Sequence, residues 1–226
     1  MALRVRESWR RDPRYGALVI VFGLALAGFI ALAIMATLTP SFVRLDRAVS
    51  GAIRSIANPV MDPIAVGFTI LGGVTAMSIL TLGGATWLWL RGRRDEAILF
   101  FTTVAFGSAL GHGLKLLVGR ARPALEFARI SVPDSYSFPS GHALASFLFF
   151  GTIVFLLVTV EQKVPLRLRA VVTALCVLIA VSISLSRVYL GVHYLGDVIG
   201  GWLLGSAIMT ATVGYYVLHT SGRLTD

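Results

Sequence analysis

The sequence predicts an all-α membrane protein, with six transmembrane helices in a bundle and a short amphipathic interfacial helix between spans one and two. Three observations carry this prediction. Hydrophobic residues make up 56% of the 226 positions and charged residues 14%, with a mean hydropathy of +0.82, which leaves too little polar surface to coat a water-soluble globule. Apolar stretches recur along the chain, each near the roughly 20 residues that cross a hydrocarbon core. Basic residues gather in alternate connections between those stretches, the pattern of a multi-pass topology.

The first span runs from Gly16 to Leu38. It is too long for the apolar core of a signal peptide and has no small-residue cleavage site after it, so it is expected to be retained. Between Ser41 and Pro63 the residues Phe42, Leu45, Val49, Ile53 and Ile56 recur at helical spacing, with Arg44, Arg47 and Arg54 off that stripe. This pattern predicts a helix lying flat at the interface, and it is equally compatible with an ordinary connecting helix. The remaining spans are expected at Ala65 to Leu90, Ala97 to Val118, His142 to Val160, Arg169 to Ser186 and Asp197 to Leu218. Within the second, Gly72-Gly73 and Gly83-Gly84 suit close helix packing.

Six spans put both termini on one side. Arg4, Arg6, Arg10, Arg11 and Arg14 precede span one, Arg91, Arg93 and Arg94 follow span two, and Lys163, Arg167 and Arg169 follow span four. The positive-inside rule assigns these to the cytoplasm. Fewer free basic residues, Arg44, Arg47, Arg54, Arg120 and Arg129, fall on the other side. The chain is then a single domain over residues 1–226, with 1–15 a basic cytoplasmic segment and 219–226 a cytoplasmic tail. The net charge of +9 is explained by this topology, and no basic face interleaved with aromatics points to nucleic acid. The single cysteine, Cys176, lies in an apolar run, so no disulfide framework and no cysteine metal site is expected.

Ionisable residues cluster in three places, all at the non-cytoplasmic ends of spans: Lys115 to Pro123, Phe138 to His142, and Ser186 to Asp197. Such groups are expensive at membrane depth, so their recurrence at one level on several helices implies a shared polar site. Lys115 and Arg122 are seven apart and share a face if the helix persists, which suits an anion; anchoring of the span end by snorkelling is the alternative. Pro139-Ser140-Gly141-His142 suits a helix start, with serine as cap and exposed amides able to cradle phosphate oxygens. His193 and Asp197, four apart, suit a carboxylate that orients an imidazole, though a structural hydrogen bond or a pair of metal ligands fits that spacing too. Arg187 adds a cation for charge developing on phosphoryl oxygens. His112 is more readily explained by packing or a structural hydrogen bond than by the site, and Glu126, Arg129 and Asp134 by solvation of their loop.

In order along the chain, Lys115-x6-Arg122-Pro123, Pro139-Ser140-Gly141-His142 and Ser186-Arg187-x5-His193-x3-Asp197 resemble the three-part signature of the type 2 phosphatidic acid phosphatase and vanadium haloperoxidase superfamily. The resemblance implies that Lys115, Arg122, Arg187, Ser140 and the Gly141 amide bind phosphate. It also implies that His193 forms a phosphohistidine, that His142 protonates the leaving alcohol, and that Asp197 orients His193. It implies a metal-free reaction without cofactor, as does the scarcity of carboxylates, since few are offered around the motifs, Asp134 and Asp197 among them, while magnesium prefers several oxygen ligands. The expected substrate is a lipid phosphate or pyrophosphate: phosphatidic acid, phosphatidylglycerol phosphate or undecaprenyl pyrophosphate. Transfer of the phosphate to another lipid is the alternative, and non-catalytic lipid binding or transport a third. The haloperoxidase branch, soluble by resemblance, does not suit so hydrophobic a chain.

Overall fold

The computed structural model describes residues 13–221 apart from 125, 127, 133 and 162. The arginines at positions 4, 6, 10 and 11 and the end of the tail from position 222 lie outside the described residues. Helix α1 spans Pro13–Leu38, α2 Pro40–Ser55, α3 Met61–Leu71, α4 Val74–Leu90, α5 Arg94–Val118, α6 Gly141–Thr159, α7 Leu166–Tyr189 and α8 Leu195–Ser221. Five of these are long and apolar enough to cross a membrane, and α3 with α4 form a sixth, bent span.

Helix α6 sits at the centre, packed against α4, α5, α7 and α8, while α1 lies along α8. Its Leu144 and Leu148 are buried in a core shared with Phe29, Phe100, Ile183 and Leu204. Small residues let the backbones approach. A Cβ at Gly107 would stand 2.2 Å from Leu148 Cδ1, and one at Gly111 2.4 Å from Leu144 Cδ2. Lipid is as apolar as leucine, so close dispersion contact of this kind, rather than exclusion of water, is what holds such helices together. Outside, Val19, Ile20, Leu24, Ile34, Leu117 and Leu178 are exposed, as expected of side chains that face hydrocarbon.

The second span departs from the uninterrupted helix expected over Ala65 to Leu90. It starts at Met61 and breaks at Gly72-Gly73, where Gly73 turns extended (φ −68°, ψ 157°) and the halves meet at a 50° bend. Ile183 of α7 fills the break, with its Cγ2 2.2 Å from where a Gly72 Cβ would be. Gly72 therefore does serve close packing, as Gly84 does against Phe100, whereas Gly83 faces open space.

Helix α2 begins with Pro40 in its first turn after an extended Thr39, a conformation that the following proline favours. Its inward face is rotated from the apolar stripe read in the sequence. Asp46 and Ser50 are buried, Phe42 and Ile53 pack on the core clusters, and Leu45, Val49 and Ile56 stay exposed. At the far end of α4, Arg91 and Arg94 lie over the rings of Trp87 and Trp89 at 5.2 and 5.3 Å, and Arg93 pairs with Glu96 and Glu161. Such aromatic and basic girdles mark a membrane–water boundary.

Candidate active site

The three polar clusters converge at one end of the bundle around a cavity of about 590 Å³. Lys115 occupies the last turn of α5 and donates from Nζ to the Tyr136 carbonyl at 3.0 Å. The helix does not persist to Arg122, as the seven-residue spacing had assumed. Gly119 adopts the left-handed conformation (φ 64°) and donates to the Lys115 carbonyl, the usual way in which glycine ends a helix. Beyond it, Arg120 and Arg122 diverge. Arg122 donates from Nε to the Ser135 carbonyl at 2.7 Å and from Nη1 to the Val192 carbonyl at 2.7 Å.

Ser140 caps α6, its Oγ accepting from the Ala143 amide at 3.5 Å. It is fully buried, its own amide donates to the Asp197 carbonyl, and it does not line the cavity. Its hydroxyl thus serves the helix start. Gly141 and His142 do line the cavity, at a helix N-terminus where amides and dipole favour an anion. Arg187, in the last turn of α7, donates to Thr69 Oγ1 of α3. Its buried Nε has no partner. After Gly191, with φ 74°, the amides of Val192 and His193 return to the Arg187 carbonyl, which sets His193 beside that arginine.

His193 Nδ1 lies 3.2 Å from Asp197 Oδ2, and its Nε2 lies 3.2 Å from Arg122 Nη1. A carboxylate only accepts and a guanidinium only donates, so Nδ1 carries the proton and Nε2 presents its lone pair to the cavity. Burial, assisted by Lys115 and Arg122 and opposed by Asp197, holds the His193 pKa down at about 3, so the ring is neutral at pH 7. Burial also lowers Arg122 below its ordinary value, with Asp197 opposing. Asp197 is enclosed: Oδ1 takes Arg120 Nη1 at 2.6 Å, while Oδ2 takes the Tyr194 amide at 2.8 Å and the Ser137 hydroxyl.

The eight site residues expected from sequence come together: Lys115, Arg122, Gly141, His142, Arg187 and His193 line the cavity, while Asp197 lies behind His193 and Ser140 is hydrogen-bonded to the Asp197 carbonyl. The sequence reading missed Arg120, Asp46, Ser137 and Thr69. Arg120 had been counted among the free basic residues, yet it is buried and bridges Asp197 and Asp46. Burial acts against its charge, and the two carboxylates more than offset this, raising its pKa. His112 is exposed and lines the cavity rather than packing. Arg129 is tied to Asp62, and Asp134 is exposed in its loop.

A family model, the PAP2 superfamily, matches residues 96–221. Phosphatidylglycerophosphatase B of Bacillus subtilis is 31% identical over 75% of this chain and 82% of its own. Undecaprenyl-diphosphatase of Sulfolobus acidocaldarius is 42% identical over 61% of this chain and 68% of its own. Lipid A 1-phosphatase of Rhizobium etli is 30% identical over 76% and 78%. Among solved structures, a transmembrane PAP2-type phosphatidylglycerolphosphate phosphatase from Bacillus subtilis superposes with a TM-score of 0.76 at 28% identity, covering 86% of this chain and 94% of the other. Sequence and fold agree: this chain is an integral membrane protein of the PAP2 superfamily.

Proposed function

We propose that the protein hydrolyses lipid phosphates or pyrophosphates on the non-cytoplasmic face of the cell membrane through a phosphohistidine at His193. The observation that carries this reading is the His193 Nε2 lone pair facing a cavity walled by Lys115, Arg122 and Arg187. Three cations bind a phosphate dianion and stabilise the charge that builds on its equatorial oxygens. Nε2 attacks phosphorus, the P–O bond to the lipid breaks, and the departing oxygen takes a proton from His142. A water that returns a proton to His142 then cleaves the P–N bond and releases inorganic phosphate. Asp197 holds the imidazole in the tautomer that leaves Nε2 free and stabilises the cationic ring formed on attack, as in Ser-His-Asp sites.

The cavity continues from the cations between α4 and α5, along Met77, Thr81, Val104 and the exposed Leu82 and Phe101. A tail can stay in an apolar channel while its phosphate reaches the basic end, which favours amphiphilic substrates. The relatives named for phosphatidylglycerophosphate, undecaprenyl diphosphate and lipid A 1-phosphate define the panel to test. The arginine-rich connections support a reading with the termini in the cytoplasm and the site on the opposite side.

The test is phosphate release from that panel by detergent-purified protein with EDTA present. Release that survives EDTA and is abolished in His193→Ala and His142→Ala is expected. Full activity in His193→Ala would remove the nucleophile assignment. Phosphate appearing only on an acceptor lipid would make the protein a phosphotransferase instead.

A further inference from the structure

We propose that Arg120 and Asp46 are positioning residues of this reaction: Arg120 holds the carboxylate of Asp197, and Asp46, from the interfacial helix α2, holds Arg120. The inference rests on the reading of His193 and Asp197 given above. Arg120 donates from Nη1 to Asp197 Oδ1 at 2.6 Å and from Nη2 to Asp46 Oδ2 at 2.8 Å. Its guanidinium lies 4.4 Å from the centre of the Tyr194 ring. Asp46 Oδ1 accepts the Gly196 amide at 2.9 Å, and a Cβ on Gly196 would come within 2.6 Å of Asp46 Oδ2. All three charged side chains are at most 5% exposed.

A buried ion triad is a poor way to stabilise a fold, because desolvation offsets most of the attraction. Docking of α2 onto α8 needs no charge, since Ser50 Oγ already accepts the Leu195 amide at 2.9 Å. The triad fits the chemistry better. Two carboxylates share one guanidinium, so Asp46, Arg120 and Asp197 together carry one excess negative charge behind His193. Attack through Nε2 leaves the imidazole cationic, and that charge is then matched in a site from which water is excluded. Without Asp46, the full charge of Arg120 would act on Asp197 and oppose the developing cation. Without Arg120, Asp197 would lose the donor that holds its Oδ1. Neither residue lines the catalytic cavity, so the effect belongs to turnover rather than to substrate affinity.

The test uses full-length protein in detergent with short-chain phosphatidic acid as probe, comparing Asp46→Asn, Arg120→Lys and Ser50→Ala. The two charge-triad variants are expected to lose about 10-fold to 100-fold in kcat with KM within about twofold, while Ser50→Ala, which loosens the same helix without touching charge, stays within about threefold of the parent. An equal loss in Ser50→Ala would reduce the triad to a structural tether and overturn the proposal. Parental kcat in a monodisperse Asp46→Asn would do the same. If Asp46→Asn aggregates, Arg120→Lys decides, because lysine keeps the charge and cannot serve both carboxylates in one plane; parental turnover there overturns the proposal. Rapid quenching into alkaline denaturant, in which a phosphohistidine survives, separates the two layers. A parent protein that forms no phosphohistidine removes the underlying mechanism and the triad's role with it. A parent that forms one, with Asp46→Asn forming it equally fast, removes the triad's role alone.

Discussion

In the proposed reaction His193 is the residue on which most depends, and its state is set by two neighbours and by burial. Asp197 fixes the tautomer, Arg122 marks the lone pair, and burial keeps the ring uncharged. For Asp197→Asn we expect kcat to fall by at least about 100-fold with little change in KM, since an amide can offer its NH2 group to Nδ1 and invert the tautomer; steady-state kinetics on a lipid phosphate would show it. The depressed pKa also bears on stability. An imidazole at about 3 in the folded protein and near 6.5 when unfolded binds more protons in the unfolded state between those values. The stability it contributes is therefore full above about pH 6.5 and is lost as the pH falls toward 3, by roughly 1–2 kcal/mol between pH 7 and pH 5. Detergent-phase melting of His193→Gln at those two pH values should show a smaller acid-induced drop than the parent. The polar residues that converge on the cavity were largely legible in the sequence because their cost at membrane depth makes them conspicuous. Arg120 and Asp46 were not, because a surface arginine and one acidic residue on a basic helix look ordinary until the fold buries them against each other. The available signal was that Asp46 is the only acidic residue in α2, one turn before the equally inward Ser50.

At the level of elements, termini matter more than helix bodies. Gly119 ends α5 one turn after Lys115, so Arg120 and Arg122 leave the helix axis and serve opposite sides of the His193–Asp197 pair. Spacing alone could not reveal this, since a left-handed glycine is visible only once the chain turns. The break at Gly72-Gly73 was hidden for a similar reason: two glycines in an apolar run read as packing, and it is Ile183 pressing on Gly72 that makes them a bend. Helix contacts supply a test. Gly107→Val places a branched side chain where Leu148 already stands, and overpacking of this sort destabilises by about 1–3 kcal/mol. Its melting temperature in detergent should fall, whereas Gly83→Ala, which faces open space, should leave it unchanged.

For the whole molecule, composition pointed to the membrane class and the lengths of the apolar segments to the count of spans, because hydrocarbon imposes length and hydrophobicity on every crossing segment. Sidedness rests on the arginine distribution, and it can be checked by single cysteines at the exposed positions Arg91 and Asp134 in a Cys176→Ala background. A membrane-impermeant maleimide added outside should label position 134 and spare position 91. The Asp46–Arg120–Asp197 triad ties together residues 74 and 77 positions apart and closes a loop from the second helix to the eighth. Contacts so distant along the chain form late and only after the intervening segments have been placed. During synthesis, therefore, α2 precedes its buried partners, and all three cations are made before the last helix emerges. Until residues 195–197 follow, the nascent chain has no carboxylate to orient His193. Hydrolytic competence thus arrives with the final span, and copies truncated before it should be inert.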